Sequence, residues 1–176
     1  MEDVIFKLTD KDFDLEPQEM INCRFRKAAR GIIIREDGKI ALQNKRKKNE
    51  FKLVGGGIEK DEDPKKAFKR EVLEEAGCEI EIIDELGKVE EFKSYLNLKQ
   101  VSYIFVAKVV KNIHKLNLTE KEIDEGAQLI WVTPNDAIRL ITDCYDKLAP
   151  SKYEDVYATR FVVLRDRKIL EYYFKK

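Results

Sequence analysis

The stretch Gly55 to Cys78, GGGIEKDEDPKKAFKREVLEEAGC, constrains this chain more than any other part of it. Asp63 is a good N-cap, and Pro64 suits the first helical position, where its missing N–H costs nothing. Gly77 is a natural left-handed stop. The spacing between them predicts a helix from Pro64 to about Ala76. Phe68, Val72, Leu73 and Ala76 form a side that can face a core, while Glu71, Glu74 and Glu75 share one arc. Like charges three and four residues apart on a helix repel by roughly 0.2–0.5 kcal/mol per pair. Three converging carboxylates are what a hard divalent cation asks for, because Mg2+ takes oxygen ligands and bridges carboxylates to substrate phosphates. Just ahead, Gly55, Gly56 and Gly57 leave backbone groups open to a ligand.

Composition narrows the classes. The length of 176 residues fits one domain of ordinary size, and 43% apolar content makes it globular. Lys+Arg and Asp+Glu are equal at 34 each, so there is no global pull towards polymeric nucleic acid or acidic membranes. Cys23, Cys78 and Cys144 form no CxxC pair and no even disulfide set, and read as reduced thiols. The acidic start MEDVIFKLTDKDFDLEPQEM lacks the apolar run of a signal peptide, and no stretch approaches a bilayer span. The expectation is a cytoplasmic protein.

The layout is mixed. Val4 to Leu8 suggests a short strand in an otherwise irregular start. Ile32 to Ile34, the Asp37-Gly38 turn and Lys39 to Gln43 predict a hairpin, followed by the basic run Lys45 to Lys48, which reads as a solvated turn. Strands are expected around Ile80 to Ile83, in LKQVSYIFVAKVV and at Leu129 to Val132, with a loop or short helix near Asn117 to Gly126. Thr133-Pro134-Asn135 opens a helix to about Asp143, and Tyr157 to Phe174 looks helical. Strands interleaved with helices argue for an α/β layer fold.

A glutamate cluster alone is most often a solvated face, and a lone GGG a flexible turn. Here the parts occur together. Gly56, five residues, Glu62, seven residues, Arg70-Glu71-Val72, one residue, Glu74-Glu75, one residue and Gly77-Cys78 resembles the Nudix box, G-x5-E-x7-R-E-U-x-E-E-x-G-U, with U a bulky aliphatic residue. Cys78 is the one departure, a small apolar residue where Ile, Leu or Val is usual.

The resemblance implies a Nudix fold: a mixed β-sheet sandwiched between helices, α/β/α, here with an extra C-terminal helix. It suggests an N-terminal segment 1–24, a Nudix domain 25–145 and a C-terminal helical extension 146–176. It implies Mg2+-dependent hydrolysis of a nucleoside diphosphate linked to another group, with Mn2+ as a substitute ion and a nucleotide as partner. By position, Glu71, Glu74, Glu75 and the Gly56 carbonyl would hold metal, Arg70 would orient the glutamates, and Glu62 and Gly77 would support the loop. The general base is open between Glu71 or Glu74 in the box and Glu120, Glu122 or Glu125 later, with Glu125 preferred among the later ones. Arg30 and Arg46 are candidate nucleotide contacts. Tyr95, seventeen residues after Cys78, leans towards dinucleoside polyphosphates, while nucleoside triphosphates and oxidised nucleotides stay open. His114, the single histidine, receives no role. The rival reading is a catalytically silent nucleotide-binding or regulatory module, which would be expected to lack some box carboxylates. A homodimer is also open, because the two terminal segments can pack on their own domain or on a second subunit.

Overall fold

The computed structural model describes residues 3–175. Eight strands form one mixed sheet: β1 (Val4–Leu8), β2 (Arg24–Ile34), β3 (Ile40–Lys45), β4 (Glu50–Lys52), β5 (Val54–Gly57), β6 (Cys78–Lys93), β7 (Leu98–Asn112) and β8 (Ala127–Val132). The helices are α1 (Pro64–Ala76), α2 (Glu120–Asp124), α3 (Pro134–Cys144) and α4 (Val156–Phe174). The strand order is β1-β6-β7-β2-β3-β4, with β5 added to β2 and β8 to β3. β2 runs parallel to β7 and antiparallel to β5, so it carries both the sheet centre and the glycine strand.

Residue alternation splits the core into two layers. Ile33, Phe105 and Ala107 face α1 and pack with Ala67, Phe68, Val72 and Ala76. Ile32, Ile104 and Val106 face the other way and pack with Ala137 and Ile141 of α3 and Val163, Ile169 and Leu170 of α4. The isoleucine run 32–34 thus serves both faces, which no single-face alternation would reveal. The expected sandwich of helices about a mixed sheet, with a C-terminal helix, is what the chain adopts.

The terminal segments belong to this body. β1 pairs in parallel with β6. A turn at Asp10–Phe13 docks on α4, where Phe13 and Phe161 lie 4.4 Å apart between ring centroids and the Tyr157 hydroxyl donates to Asp10 at 2.7 Å. The basic run after β3 is not a solvated turn. Lys45 and Lys48 are buried: Lys45 meets Glu125 at 2.6 Å, and Lys48 meets Glu50 at 3.0 Å and Glu154 at 2.8 Å. Arg46 and Lys47 alone take the solvent side.

Candidate active site

α1 delivers the acidic cluster. The Asp63 carboxylate accepts from the Lys65 and Lys66 amides at 2.9 and 3.2 Å, and Gly77, at φ 62°, ends the helix in the left-handed region. The buried stripe runs through Phe68, Val72, Glu75 and Ala76. Leu73, expected on that stripe, is 43% exposed, because it lies about 100° round the helix from Val72. Glu75 takes the inward place, at 3% exposure.

Arg70 organises the remaining acids. Its Nε and Nη2 fork onto Glu62 at 2.9 and 3.0 Å, Nη1 donates to Glu71 at 2.8 Å and Glu74 at 3.3 Å, and Nη2 also reaches the Gly57 carbonyl at 3.0 Å. The fork holds the Glu62 carboxyl below its ordinary range. Burial pushes Glu71 the other way, upward. A side-chain carbon at Gly56 would run into the Glu71 carboxylate and push it from this place.

Glu75 accepts from the Gly55 amide at 2.9 Å, and Lys52 stands 3.6 Å away. Burial, with the Glu122 carboxylate alongside and Lys52 opposing, pushes Glu75 up to about 7. Two carboxyl groups placed like this need a proton or a cation between them. Glu71, Glu75 and Glu122 line one cleft of about 260 Å³ together with Gly55, Gly56 and Gly57. This set supplies oxygen donors only, which fits a hard divalent cation. Among the described residues no three acidic, histidine or cysteine side chains already converge as a closed metal cage. Arg70 supplies the balancing charge to Glu71 and Glu74 instead.

The cleft does not gather every residue the sequence suggested. Arg30 lines it. Glu74 does not, and stands part-exposed against Arg70. Glu125 is excluded: it is 1% exposed, paired with Lys45 and accepting from Ser151 Oγ at 2.9 Å, so it anchors the loop rather than faces the cleft. Glu122, one turn earlier on α2, is the late acid that reaches the box. It is held by Thr119, whose amide donates to it at 2.8 Å. Arg46 is exposed and lies outside the lining, because the turn after β3 points it outward. Tyr95 is also outside. It sits in the turn after β6, 46% exposed, donating to the Glu16 carbonyl at 3.1 Å and packed on Tyr157. Sequence reading missed Arg26, Lys52, Lys93, Lys121 and Arg165, all of which line the cleft. The even spacing of Arg26 and Arg30 on β2 was the available signal for one pair.

A helix-borne acidic cluster locked by one arginine over a glycine strand, inside an α/β/α sandwich, defines the Nudix class, and residues 24–153 match the NUDIX domain family. The chain belongs to this family of pyrophosphohydrolases. It is 29% identical over 117 residues to a "MutT-like protein" of Streptomyces ambofaciens, covering 65% of this chain and 68% of that one. It is 30% identical over 107 residues to mouse "Diphosphoinositol polyphosphate phosphohydrolase 3-alpha", covering 61% of this chain and 62% of that one. In fold it is similar to the MutT protein of Methanosarcina mazei Go1, with a TM-score of 0.53 and 20% identity over 84% of this chain and 96% of that one. A NUDIX hydrolase from Nitrosomonas europaea gives a TM-score of 0.57 at 15% identity, over 82% and 89%. Among the described residues no helix is long and apolar enough to cross a membrane.

Proposed function

We propose that this chain hydrolyses a diphosphate linkage in a nucleotide-type substrate with Mg2+, for which Mn2+ can substitute. The observation that carries this reading is the single cleft in which Glu71, Glu75 and Glu122 meet the glycine strand and a set of cations. Glu71, Glu75 and the Gly56 backbone are the groups that would hold the ion, with Glu74 entering once Arg70 shifts its contacts. When bound, the ion neutralises charge on the phosphates and lowers the pKa of the attacking water.

The residues divide the remaining work. Arg70 fixes the Glu62, Glu71 and Glu74 carboxylates through one rigid fork. Lys52 and Lys121 bring positive charge to the scissile phosphates. Glu122 is placed to accept the proton of the attacking water, taking the role the sequence offered to Glu125. The silent-module reading has no support in the box, which keeps all its carboxylates.

The test is turnover of a panel of nucleoside triphosphates, oxidised dGTP, ADP-ribose, nucleotide sugars, dinucleoside polyphosphates and diphosphoinositol polyphosphates, with and without Mg2+, resolved by chromatography. Mg2+-dependent cleavage of one class is expected. Absence of cleavage by folded protein that binds metal and nucleotide would overturn the reading in favour of a binding module.

A further inference from the structure

The part of the cleft away from the box is built from buried charge that diphosphate hydrolysis does not use. Arg165, on α4, is 1% exposed. Its Nε donates to Asp166 at 2.7 Å and its Nη1 to Glu91 at 3.0 Å, while Nη2 is buried without a hydrogen-bond partner. Arg30, on β2, is 4% exposed, and its Nε is likewise unpartnered. Lys93 lies 3.1 Å from Glu91, and Arg26 donates to Gln100 at 3.3 Å. All four cations line the cleft, and Glu91 and Asp166 are the acids set against them.

Arg30, Lys93 and Arg165, all buried, outnumber the buried acids Glu91 and Asp166, while Arg26 stands exposed at the edge, and an unpaired buried cation is costly. Burial and the nearby Arg165 pull the Arg30 guanidinium down to about 10. Arg30 and Arg165 both line the cleft and each keeps a buried N–H without a partner, so two guanidinium groups, the kind that bind phosphate by paired hydrogen bonds, stand at its wall incompletely satisfied. Val162 is the one apolar side chain lining the cleft among the described residues, and no aromatic ring lines it. Nothing there can stack on a base.

We propose that Arg26, Arg30, Lys93 and Arg165 form an anion subsite that receives a second phosphate group of the substrate, one that is not cleaved. This rests on the hydrolase reading of the same cleft and narrows it: the substrate carries phosphate at two separated places and is recognised by phosphates rather than by a flat base. The C-terminal helix, through Arg165 and Val162, is then part of the binding site.

The experiment uses the full chain and inorganic pyrophosphate as the probe. Titration calorimetry in EDTA removes the metal contribution, and variants separate the subsite from Lys52 and Lys121, which stay charged. Wild type is expected to bind. Arg30→Gln is expected to weaken binding at least about tenfold, the loss of one charge-assisted contact. Val162→Glu, which adds a carboxylate beside the cations and leaves the Arg165 pairs intact, is expected to do the same, and Glu71→Gln to leave binding unchanged. In turnover, Val162→Glu should raise KM for a diphosphoinositol polyphosphate about tenfold, and by less for a nucleotide sugar, which carries no second, separated phosphate group. No metal-free binding by folded wild type, or equal binding by wild type, Arg30→Gln and Val162→Glu, would overturn the subsite. Binding that follows the expected pattern with no cleavage of any substrate would sustain the subsite and overturn the hydrolase reading alone.

Discussion

The Leu53 amide donates to Asp166 Oδ2 at 2.8 Å, tying the residue just before the glycine strand to the last helix. Asp166 is fully buried and also accepts from Arg165. One carboxylate thus holds both the entrance of the box strand and the charged wall of the cleft.

Asp166→Ala should therefore be severe. It leaves the buried Leu53 amide without a partner and the Arg165 guanidinium with Glu91 alone, and stability should fall by about 3–5 kcal/mol. Thermal unfolding followed by circular dichroism checks this. A shift too small to resolve would mean that α4 is held by its apolar contacts alone.

Arg70→Lys should retain the fold and lose roughly 10- to 100-fold in kcat/KM. A lysine ammonium can meet one acid but cannot fork onto Glu62 while also reaching Glu71, Glu74 and the Gly57 carbonyl. Steady-state kinetics beside a melting curve separates the two effects. Activity close to wild type would show that the acids orient themselves.

The two late glutamates should part cleanly. Glu122→Gln is expected to lower kcat with little change in Tm, since its side chain faces the cleft. Glu125→Gln is expected to lower stability, by about 3–5 kcal/mol if its buried pair with Lys45 is left unbalanced, and to spare kcat of the folded fraction. Paired kcat and Tm measurements on both variants decide it, and the reverse pattern would restore Glu125 as the general base.

Acid should unfold the protein through its buried carboxylates. Burial alone would raise Glu91, but Lys93, Arg165 and Arg30 outweigh it and draw it from 4.5 down to about 2. Lys48 and its neighbours do the same to Glu154, also to about 2. A carboxyl depressed in the folded chain adds stability that is complete above about pH 4.5 and is lost as pH falls towards 2. Urea midpoints measured from pH 7 to pH 2.5 should rise as Glu75, raised to about 7 in the folded chain, takes up its proton above about pH 4.5, and should then decline as Glu91 and Glu154 are protonated. Glu91→Gln should be less stable at pH 7 and show a shallower decline. A flat profile in wild type would remove these pairs from the account.

The spacing of residues along the chain determined a good deal. Asp63, Pro64 and Gly77 mark the ends of α1 because caps act within one turn, and the Arg70 contact with Glu74, four residues on, follows from helix geometry. The strand-rich and helix-rich stretches were legible for the same local reason. What only the tertiary structure decided concerns groups far apart in sequence. Glu122 on α2 and Glu125 at its C-cap lie three residues apart, and which one meets Glu75 depends on how α2 is set against α1 in the assembled fold. Lys45 and Lys48 look like a solvated turn until Glu50, Glu125 and Glu154 are folded over them. Arg165 reads as one more charge on an unevenly patterned helix, and it becomes part of the cleft only when α4 packs across β6 and places it against Glu91, 74 residues away. Burial turns such long-range pairs from weak surface contacts into strong ones, and burial is a property of the assembled fold rather than of any segment.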